Sequence, residues 1–264
     1  MTWQGKARKR TFKNVKDFWE KSGKAKPTDP RITIRDSYFR LLEIEEIRKI
    51  IKGKGRVLDI GCGNGFSTFQ YARDVDHISG GDYSKNLIKG AKALLRKSSV
   101  RNIEFKVADV LDLPFEKEEF DVVIGERLLI NLPDWELQKK AIREIVRVLK
   151  KGGLYICVEV TKQGHEKVDY YRQMFGLNIL EKYWHNLYLD ESAYIPFINK
   201  YFDISEIKRF GMYQFLTKVM HPLVAMPREP KFISRFNKVA MDIGKKITNF
   251  DDCSHQVMFV LRRR

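Results

Sequence analysis

The sequence has few cysteines, no long hydrophobic run and no metal-ligand cluster, and each absence excludes a class of protein. Its three cysteines, Cys62, Cys157 and Cys253, are odd in number and far apart. That pattern argues against a disulfide framework or a zinc site and favours a reducing, cytoplasmic location. No apolar run approaches the ~20 residues of a membrane-spanning helix. Because no histidines and acids share a convincing ligand spacing, we expect no metal.

What the sequence has in excess is positive charge. The 264 residues carry 50 Lys and Arg against 34 Asp and Glu, a net charge of +16, and 43% of them are hydrophobic, which is typical of a globular chain. The first 26 residues hold nine Lys and Arg against two acids, without the apolar core of a secretory signal. This basic N-terminal arm, residues 1–33, is either a solvated tail or a segment attracted to nucleic acid, membrane headgroups or a phosphorylated substrate.

Beyond the arm, short apolar runs alternate with segments of helical periodicity. Apolar residues three or four positions apart predict an amphipathic helix over 34–52, and a second periodic helix is expected over 135–149, ended by Gly152-Gly153. The runs that predict strands lie at 56–60, 77–81, 103–107, 121–125, 154–160, 202–210 and 256–261. Because strands and helices alternate, we predict an α/β, Rossmann-like, mostly parallel sheet in a single domain over residues 34–264.

Two longer segments interrupt this alternation. Residues 161–200 are rich in Tyr, Trp and His, and residues 211–254 contain three prolines. Both are too long to be simple turns. We predict that they are insertions after the fifth and sixth strands, which cover the carboxyl edge of the sheet and the substrate.

A glycine-rich turn follows the first predicted strand. Asp59 lies near the end of that strand, and Gly61, Gly63 and Gly65 follow it at alternate positions. Glycines let the backbone turn sharply and let a ligand come close. A dinucleotide site has a wider glycine spacing, and an acid at this point repels phosphate but attracts an ammonium group. The turn therefore favours a ligand with an amino-acid moiety over a nicotinamide cofactor.

Two further acids follow the next two strands. Asp82 comes 23 residues after Asp59, at a point where a carboxylate can accept hydrogen bonds from both hydroxyls of a ribose. Asp109 follows the third strand, where a carboxylate can accept from the amino group of an adenine. Since the carboxyl ends of parallel strands meet at one edge, the three acids together predict one binding site.

Five stretches of the sequence match the motifs of a known family in order. The stretches VLDIGCGNG, GGDYS, VADVLDLPF, EEFDVVIGE and REIVRVLKKGG resemble the successive motifs of class I S-adenosylmethionine-dependent methyltransferases. The resemblance implies S-adenosylmethionine as cofactor and a seven-stranded sheet with an antiparallel last strand. It implies that the Asp59 region, Gly61 and Gly63 hold the methionine part, Asp82 the ribose and Asp109 the adenine. The full predicted cofactor set is Asp59, Gly61, Cys62, Gly63, Gly65, Asp82, Tyr83, Asp109, Val110 and Glu126.

The flanking sequence bears on the acceptor. The stretches ERLLINLPDWELQKKA, WHNLYLDES and VMHPLVAMPREPKF are similar to a little-described branch of the family associated with sugar and surface-glycan pathways. The predicted acceptor contacts are Arg127, Asn131, Trp184 and Tyr188. A hydroxyl acceptor needs a base, and the candidates are His185, Glu126 and His221, because imidazole and carboxylate groups can accept a proton near neutral pH.

Three hypotheses for the function follow. The leading one is O-methylation of a small-molecule or glycan-like acceptor, covered by the two insertions. The second is an RNA- or ribosome-directed methyltransferase, for which the net charge of +16 is the main argument. The third is a non-catalytic module that binds the cofactor without transferring its methyl group.

Overall fold

The computed structural model describes residues 9–264, so the first part of the predicted basic arm, residues 1–8, lies outside the described residues. Seven strands form its centre: β1 Lys54–Ile60, β2 Val75–Asp82, β3 Ile103–Val107, β4 Phe120–Glu126, β5 Leu149–Val160, β6 Phe202–Arg209 and β7 Gln256–Arg263. They form one sheet in the order β3-β2-β1-β4-β5-β7-β6. Strands β1 to β5 pair in parallel, and β7 runs antiparallel to both β5 and β6. The predicted α/β, Rossmann-like fold with an antiparallel last strand is confirmed.

Helices connect these strands and cover the sheet. They are α1 Phe12–Ala25, α2 Ser37–Ile51, α3 Phe66–Tyr71, α4 Lys85–Arg96, α5 Trp135–Val148, α6 Lys162–Met174, α7 Glu191–Ile198, α8 Gly211–Phe215, α9 His221–Ala225 and α10 Arg235–Lys246. A π-helical turn, Leu216–Met220, joins α8 to α9. Within the described part of the chain, no helix is long and apolar enough to cross a membrane.

The central strands are apolar on both faces because helices cover both sides of the sheet. Successive side chains of a strand point to opposite faces. Thus Leu58 and Val123 belong to one core cluster, whereas Val57 and Ile124 belong to the other. This arrangement leaves the carboxyl edge of the parallel strands as the place where polar side chains meet.

The start of β5 corrects one prediction. Gly152-Gly153 do not end the helix before them, since α5 ends at Val148 and β5 begins at Leu149. Gly152 has a left-handed φ of 73° inside this long strand. A Cβ atom at Gly153 would lie 2.9 Å from the carbonyl oxygen of Asp121. The glycines therefore form an irregularity in the pairing of β4 with β5, where the register shifts.

Helix α1, which lies in the predicted basic arm, is docked on the domain. Thr11 caps its first turn, and the Oε1 atom of Glu20 accepts a hydrogen bond of 2.9 Å from the side chain of Asn86 in α4. The chain then passes very close to α4. A Cβ atom at Gly90 would lie only 2.1 Å from the carbonyl oxygen of Pro27. The described part of the arm is thus a packed element.

The two predicted insertions lie beside this core. Residues 161–200 form α6 and α7, and residues 211–254 form α8 to α10 with the π-helical turn. The second segment packs along α2, where the Tyr213 hydroxyl donates to Asp36 at 2.7 Å and Lys245 pairs with Glu45 at 2.7 Å. Their predicted role as covers of the substrate stays a prediction.

The contact between Gly90 and Pro27 generates a test of the docking of α1. Replacement of a helical glycine by alanine is ordinarily stabilising by ~0.5–1 kcal/mol. We expect the opposite for Gly90→Ala, because the new methyl group cannot fit without moving the backbone at Pro27. The variant should expose α1 to trypsin at least tenfold faster than wild type, while the rest of the domain stays folded. Lys89→Ala, at the exposed neighbouring position, is the control and should match wild type. Equal cleavage rates for Gly90→Ala and Lys89→Ala would contradict the close packing.

Candidate functional site

A cavity opens at the carboxyl ends of β1 to β4. It encloses about 960 Å³, part of it open to solvent. Its floor comes from the strand ends and the loops that follow them, and its cover comes from α1 through Phe12, Val15, Lys16 and Trp19. Ten of the predicted site residues line it: Asp59, Gly61, Cys62, Asp82, Tyr83, Asp109, Val110, Glu126, Arg127 and Asn131.

The glycine-rich turn shapes one end of the cavity. Gly61, Gly63 and Gly65 all have left-handed φ values, of 79°, 57° and 81°, which glycine adopts without strain. Gly61 lines the cavity itself, whereas Gly63 and Gly65 do not. A Cβ atom at Gly65 would lie 2.5 Å from the ring of Phe105, so internal packing also demands this glycine.

Asp59 is buried under the glycine turn. Its Oδ2 accepts a hydrogen bond of 2.6 Å from Thr68. Burial, together with the nearby charges of Glu126 and Asp82, raises the pKa of Asp59 to about 8. A cation bound beside Asp59 would therefore stabilise the ionised carboxylate and lower this pKa.

Asp82 is fixed by two backbone amides. Gly63 donates to its Oδ2 at 3.0 Å and Ser84 donates to its Oδ1 at 2.8 Å. Burial raises the pKa of Asp82 to about 6. Each carboxylate oxygen has two lone pairs, so both keep acceptor capacity toward the cavity.

Asp109 is the point where α1 closes over the cavity. Lys16 of α1 forms an ion pair with its Oδ2 at 2.5 Å, while Leu111 donates its amide to Oδ1 at 3.0 Å. The Lys16 ammonium also lies 4.2 Å from the centre of the Phe12 ring. A helix of the basic arm thus supplies the cation that faces the third predicted acid.

An ion cluster lies beneath the other end of the cavity. The guanidinium of Arg127 contacts Glu43 of α2 at 2.7 Å and Glu126 at 3.1 Å, and the Tyr71 hydroxyl donates to Glu126 at 2.7 Å. Arg127 has a left-handed φ of 53°, an uncommon conformation for a residue with a side chain. Burial of Glu43 raises its pKa, which the Arg127 charge opposes. Arg127 is therefore a structural tie between α2 and the end of β4 as well as a wall of the cavity.

Arg40 is a cavity residue that the sequence analysis missed. It lies on α2, and its Nη1 donates to the carbonyl oxygen of Pro30 at 2.5 Å while its Nη2 contacts the Thr33 hydroxyl. Its Nε is buried without a hydrogen-bond partner. Burial lowers the pKa of Arg40 to about 10, so it remains cationic at neutral pH. No sequence signal marks it, because an arginine in an amphipathic helix ordinarily faces solvent.

The aromatic residues of the basic arm, Phe12, Phe18 and Trp19, indicate that part of it packs on the domain, but its place over the cavity was not predicted. Phe12, Val15 and Trp19 are spaced by three and four residues among basic ones, which is typical of an amphipathic helix. In the structure the Trp19 indole donates to the side chain of Asn131 at 2.8 Å. The predicted acceptor contact Asn131 therefore anchors α1 over the cavity, and its own amide donates to the Arg127 carbonyl at 2.6 Å.

His185 and Trp184 lie one layer behind the cavity wall. The His185 ring stacks on Phe18 of α1 at 4.5 Å between ring centres, and Trp184 contacts the same Phe18 edge-on at 5.7 Å. Burial lowers the pKa of His185 to about 4, so the imidazole is neutral at pH 7. Neither residue lines the cavity.

The other two predicted residues outside the cavity lie farther along the chain. Tyr188 packs on His165 at 4.9 Å between ring centres. His221 stacks on Phe236 at 4.6 Å and faces a separate small depression beside Lys218. Among residues 9–264, no three His, Cys, Asp or Glu side chains are grouped so that they could hold a metal ion.

Comparisons with known proteins agree with this geometry. A family model described as a methyltransferase domain matches residues 51–192. The demethylmenaquinone methyltransferase of Lactococcus lactis is 36% identical over 165 residues, which are 61% of this chain and 57% of that protein, so the match spans little more than half of the relative.

Solved structures share the fold at lower identity. The cyclase SpnF aligns over 84% of this chain and 80% of its own, with a TM-score of 0.56 and 21% identity. Geranyl diphosphate methyltransferase in complex with SAM aligns over 84% of each chain, with a TM-score of 0.56 and 15% identity. The family match takes in the glycine turn, Asp82, Asp109 and the cluster members Glu126 and Arg127, and it extends over more than half of the residues. The chain belongs to the methyltransferase-domain family of class I, S-adenosylmethionine-dependent methyltransferases.

Proposed function

We propose that this protein binds S-adenosylmethionine in the cavity at the carboxyl ends of β1 to β4 and transfers its methyl group to a small molecule. The observation that carries the proposal is the meeting of Asp59, Asp82 and Asp109 in one cavity. Each lies at or just beyond the carboxyl end of a different parallel strand, and ligands of such sheets bind at this edge.

The amino-acid part of the cofactor would lie between two cavity residues of complementary chemistry, Asp59 and Arg40. Asp59 would accept from the ammonium group. Arg40 would face the carboxylate, which would satisfy the buried Nε that has no hydrogen-bond partner. Asp59 and Arg40 together therefore complement a zwitterion.

The nucleoside part fits the region of the cavity beside Asp82, Asp109 and helix α1. Asp82 has acceptor capacity for the two ribose hydroxyls, and Asp109 for an adenine amino group. The Tyr83 and Phe12 side chains line the cavity beside them. We therefore propose that α1 encloses the nucleoside, with Lys16 adjusting its contact to Asp109.

The remaining task of the protein is to align the acceptor with the methyl group. When bound, S-adenosylmethionine supplies an electrophilic methyl group on a sulfonium. The chain's own contribution is to hold the acceptor in line and to exclude water, effects worth up to ~7–11 kcal/mol in favourable systems. The apolar cover of Phe12, Val15 and Trp19 would serve this exclusion of water.

For the acceptor we propose a small molecule with a flat, largely apolar face. The indole of Trp19 and the ring of Phe12 line the cavity and can stack on such a face. The relative named a demethylmenaquinone methyltransferase supports a ring acceptor. O-methylation of a glycan-like acceptor is the second candidate, favoured by the same aromatic wall, because sugar rings also pack on aromatic faces.

For the proton acceptor we favour Glu126 over His185. Glu126 lines the cavity, whereas the rings of Phe18 and Trp19 pack against His185 and lie between it and the cavity. His221 faces another depression. A base must reach the proton that it removes, directly or through one water, so position decides between them.

The first experiment tests the acceptor and the activity together. Purified protein is incubated with S-adenosylmethionine labelled in the methyl group and either a short-chain naphthohydroquinone or a nucleotide-linked sugar. We expect label in the hydroquinone. Label in the sugar alone would favour the glycan candidate, and label in neither, with the cofactor bound, would favour the non-catalytic hypothesis.

The second prediction concerns Asp82. Asp82→Ala should weaken binding of S-adenosylhomocysteine by ~1–3 kcal/mol, because hydrogen bonds at a buried site are lost. Asp76→Ala, at the exposed start of the same strand, is the matched control and should bind like wild type. Calorimetry measures both, and an unchanged affinity for Asp82→Ala would remove Asp82 from the cofactor site.

The third prediction concerns proton release. Asp59 has a pKa of about 8 without a ligand and is therefore mostly protonated at pH 7. An ammonium group beside it favours the anion, so cofactor binding should release close to one proton at pH 7, and affinity should rise between pH 6 and 7.5. Calorimetry in buffers of different ionisation enthalpy counts the protons. In Asp59→Asn the release should vanish, and a wild type without proton release would contradict the assignment.

The fourth prediction separates the candidate bases. Glu126→Gln, which keeps the size of the side chain that Tyr71 and Arg127 contact, should reduce turnover by ~10²–10⁴-fold at saturating cofactor in protein that circular dichroism shows to be folded. His185→Ala and His221→Ala should retain most of the turnover. If instead His185→Ala loses turnover and Glu126→Gln keeps it, the base is His185.

A further inference from the structure

The large apolar side chains that are exposed are concentrated in two segments. Of the fourteen such residues in the described part of the chain, eleven lie in 170–183 and 224–247. Met226 is 65% exposed, Val224 63% and Met174 62%. We name as the apolar rim the residues Met174, Phe175, Ile179, Val224, Met226, Phe232 and Ile233. Scattered single residues of this kind need no explanation, but a concentration of them indicates a contact surface.

The two segments of the rim are neighbours. Arg172 at the end of α6 donates to the carbonyl oxygen of Asn178 at 2.6 Å and reaches the carbonyl oxygen of Lys218 in the π-helical turn. The ring of Phe175 lies 6.3 Å from that of Phe215. Lys218 shares the small depression with Phe232. The apolar side chains on both sides of Arg172 thus belong to one region of the surface.

Basic side chains accompany the rim. Residues 218–247 contain seven Lys and Arg against two acids, Glu229 and Asp242. Arg228, Lys231 and Arg235 are exposed among the apolar residues. Apolar side chains beside an excess of cations match a surface with anionic headgroups above an acyl layer. A nucleic-acid surface would use the cations but not the aliphatic side chains.

Aromatic rings connect the side of the molecule that carries the rim with the cavity. Tyr183, which ends the first exposed segment, stacks on His185 at 5.8 Å between ring centres. His185 stacks in turn on Phe18, which contacts Trp19 of the cavity wall at 5.1 Å. These contacts therefore link the cavity wall to the segment 170–183, which carries part of the rim.

We propose that the apolar rim docks the protein on the surface of a bilayer that contains anionic lipids. The rim inserts its aliphatic side chains among the acyl chains, and the exposed cations Arg228, Lys231 and Arg235 face the headgroups. Nothing in the docking depends on methyl transfer. We expect the attachment to the bilayer to be reversible and to weaken as the salt concentration rises, because salt screens exposed charges.

The test is sedimentation of the full chain with vesicles. Vesicles of phosphatidylcholine alone are compared with vesicles of phosphatidylcholine and phosphatidylglycerol. The test variant is the double substitution Met226→Glu with Ile233→Glu. The control is Ile207→Glu, which adds one glutamate at an exposed apolar position on the edge strand β6, and the single substitutions Met226→Glu and Ile233→Glu are measured beside it as its charge-matched counterparts. Circular dichroism and cofactor affinity establish that each variant is folded.

We expect wild type and Ile207→Glu to sediment with the phosphatidylglycerol vesicles, at least tenfold more than with phosphatidylcholine alone at low salt. The double variant should lose at least nine-tenths of this binding while binding the cofactor normally. Three results would overturn the proposal. They are absence of wild-type binding at low salt, equal binding by the double variant, and binding of RNA in place of vesicles. A wild-type dimer that the double variant disperses, without vesicle binding, would assign the rim to a second copy of the chain.

Discussion

The ion cluster around Arg127 is the interaction on which the rest of the site depends. Its guanidinium, held at a left-handed φ of 53°, ties Glu43 of α2 to Glu126 at the end of β4. Removing one member of a buried charge group leaves its partners uncompensated, which typically costs ~3–5 kcal/mol. Because Arg40 lies on the same helix as Glu43, this tie also fixes the position of the cation that faces the cavity. The cavity floor and the orientation of α2 are therefore set together.

The basic arm has a different role in this structure from that of a solvated tail. Helix α1 covers the cavity with an apolar face, and the contacts of Lys16 with Asp109 and of Trp19 with Asn131 hold it there. Both contacts are made to groups that the sequence analysis assigned to ligands. Cofactor or acceptor would thus compete with, or reorganise, the contacts that close the cavity. This arrangement couples ligand binding to the position of α1. The positive charge of Lys16 in the arm helps to hold α1 over the cavity through its ion pair with Asp109.

Periodicity and motif spacing predicted most of the fold. The predicted strands agree with the structure to within a few residues at their ends, except that β5 begins five residues earlier than the predicted 154. That difference arises because a glycine pair permits a strand irregularity as readily as it ends a helix. The meeting of Asp59, Asp82 and Asp109 in one cavity was predictable, because they lie at the carboxyl ends of successive parallel strands. By contrast, Arg40 and Lys16 lie on helices, and only tertiary packing turns them toward the cavity. His185 was selected because imidazole is a common base. The sequence alone cannot distinguish a catalytic histidine from one that is buried and stacked on aromatic rings.

The central claim is that the cavity between the strand ends and α1 holds S-adenosylmethionine. Hydrogen–deuterium exchange with and without S-adenosylhomocysteine tests it most directly, because it reports on each backbone segment separately. Slower exchange on ligand addition is expected in the glycine turn after β1, in the loops after β2 and β3, and in α1. Unchanged exchange in α1 and in those loops, at a ligand concentration that saturates the protein, would contradict it.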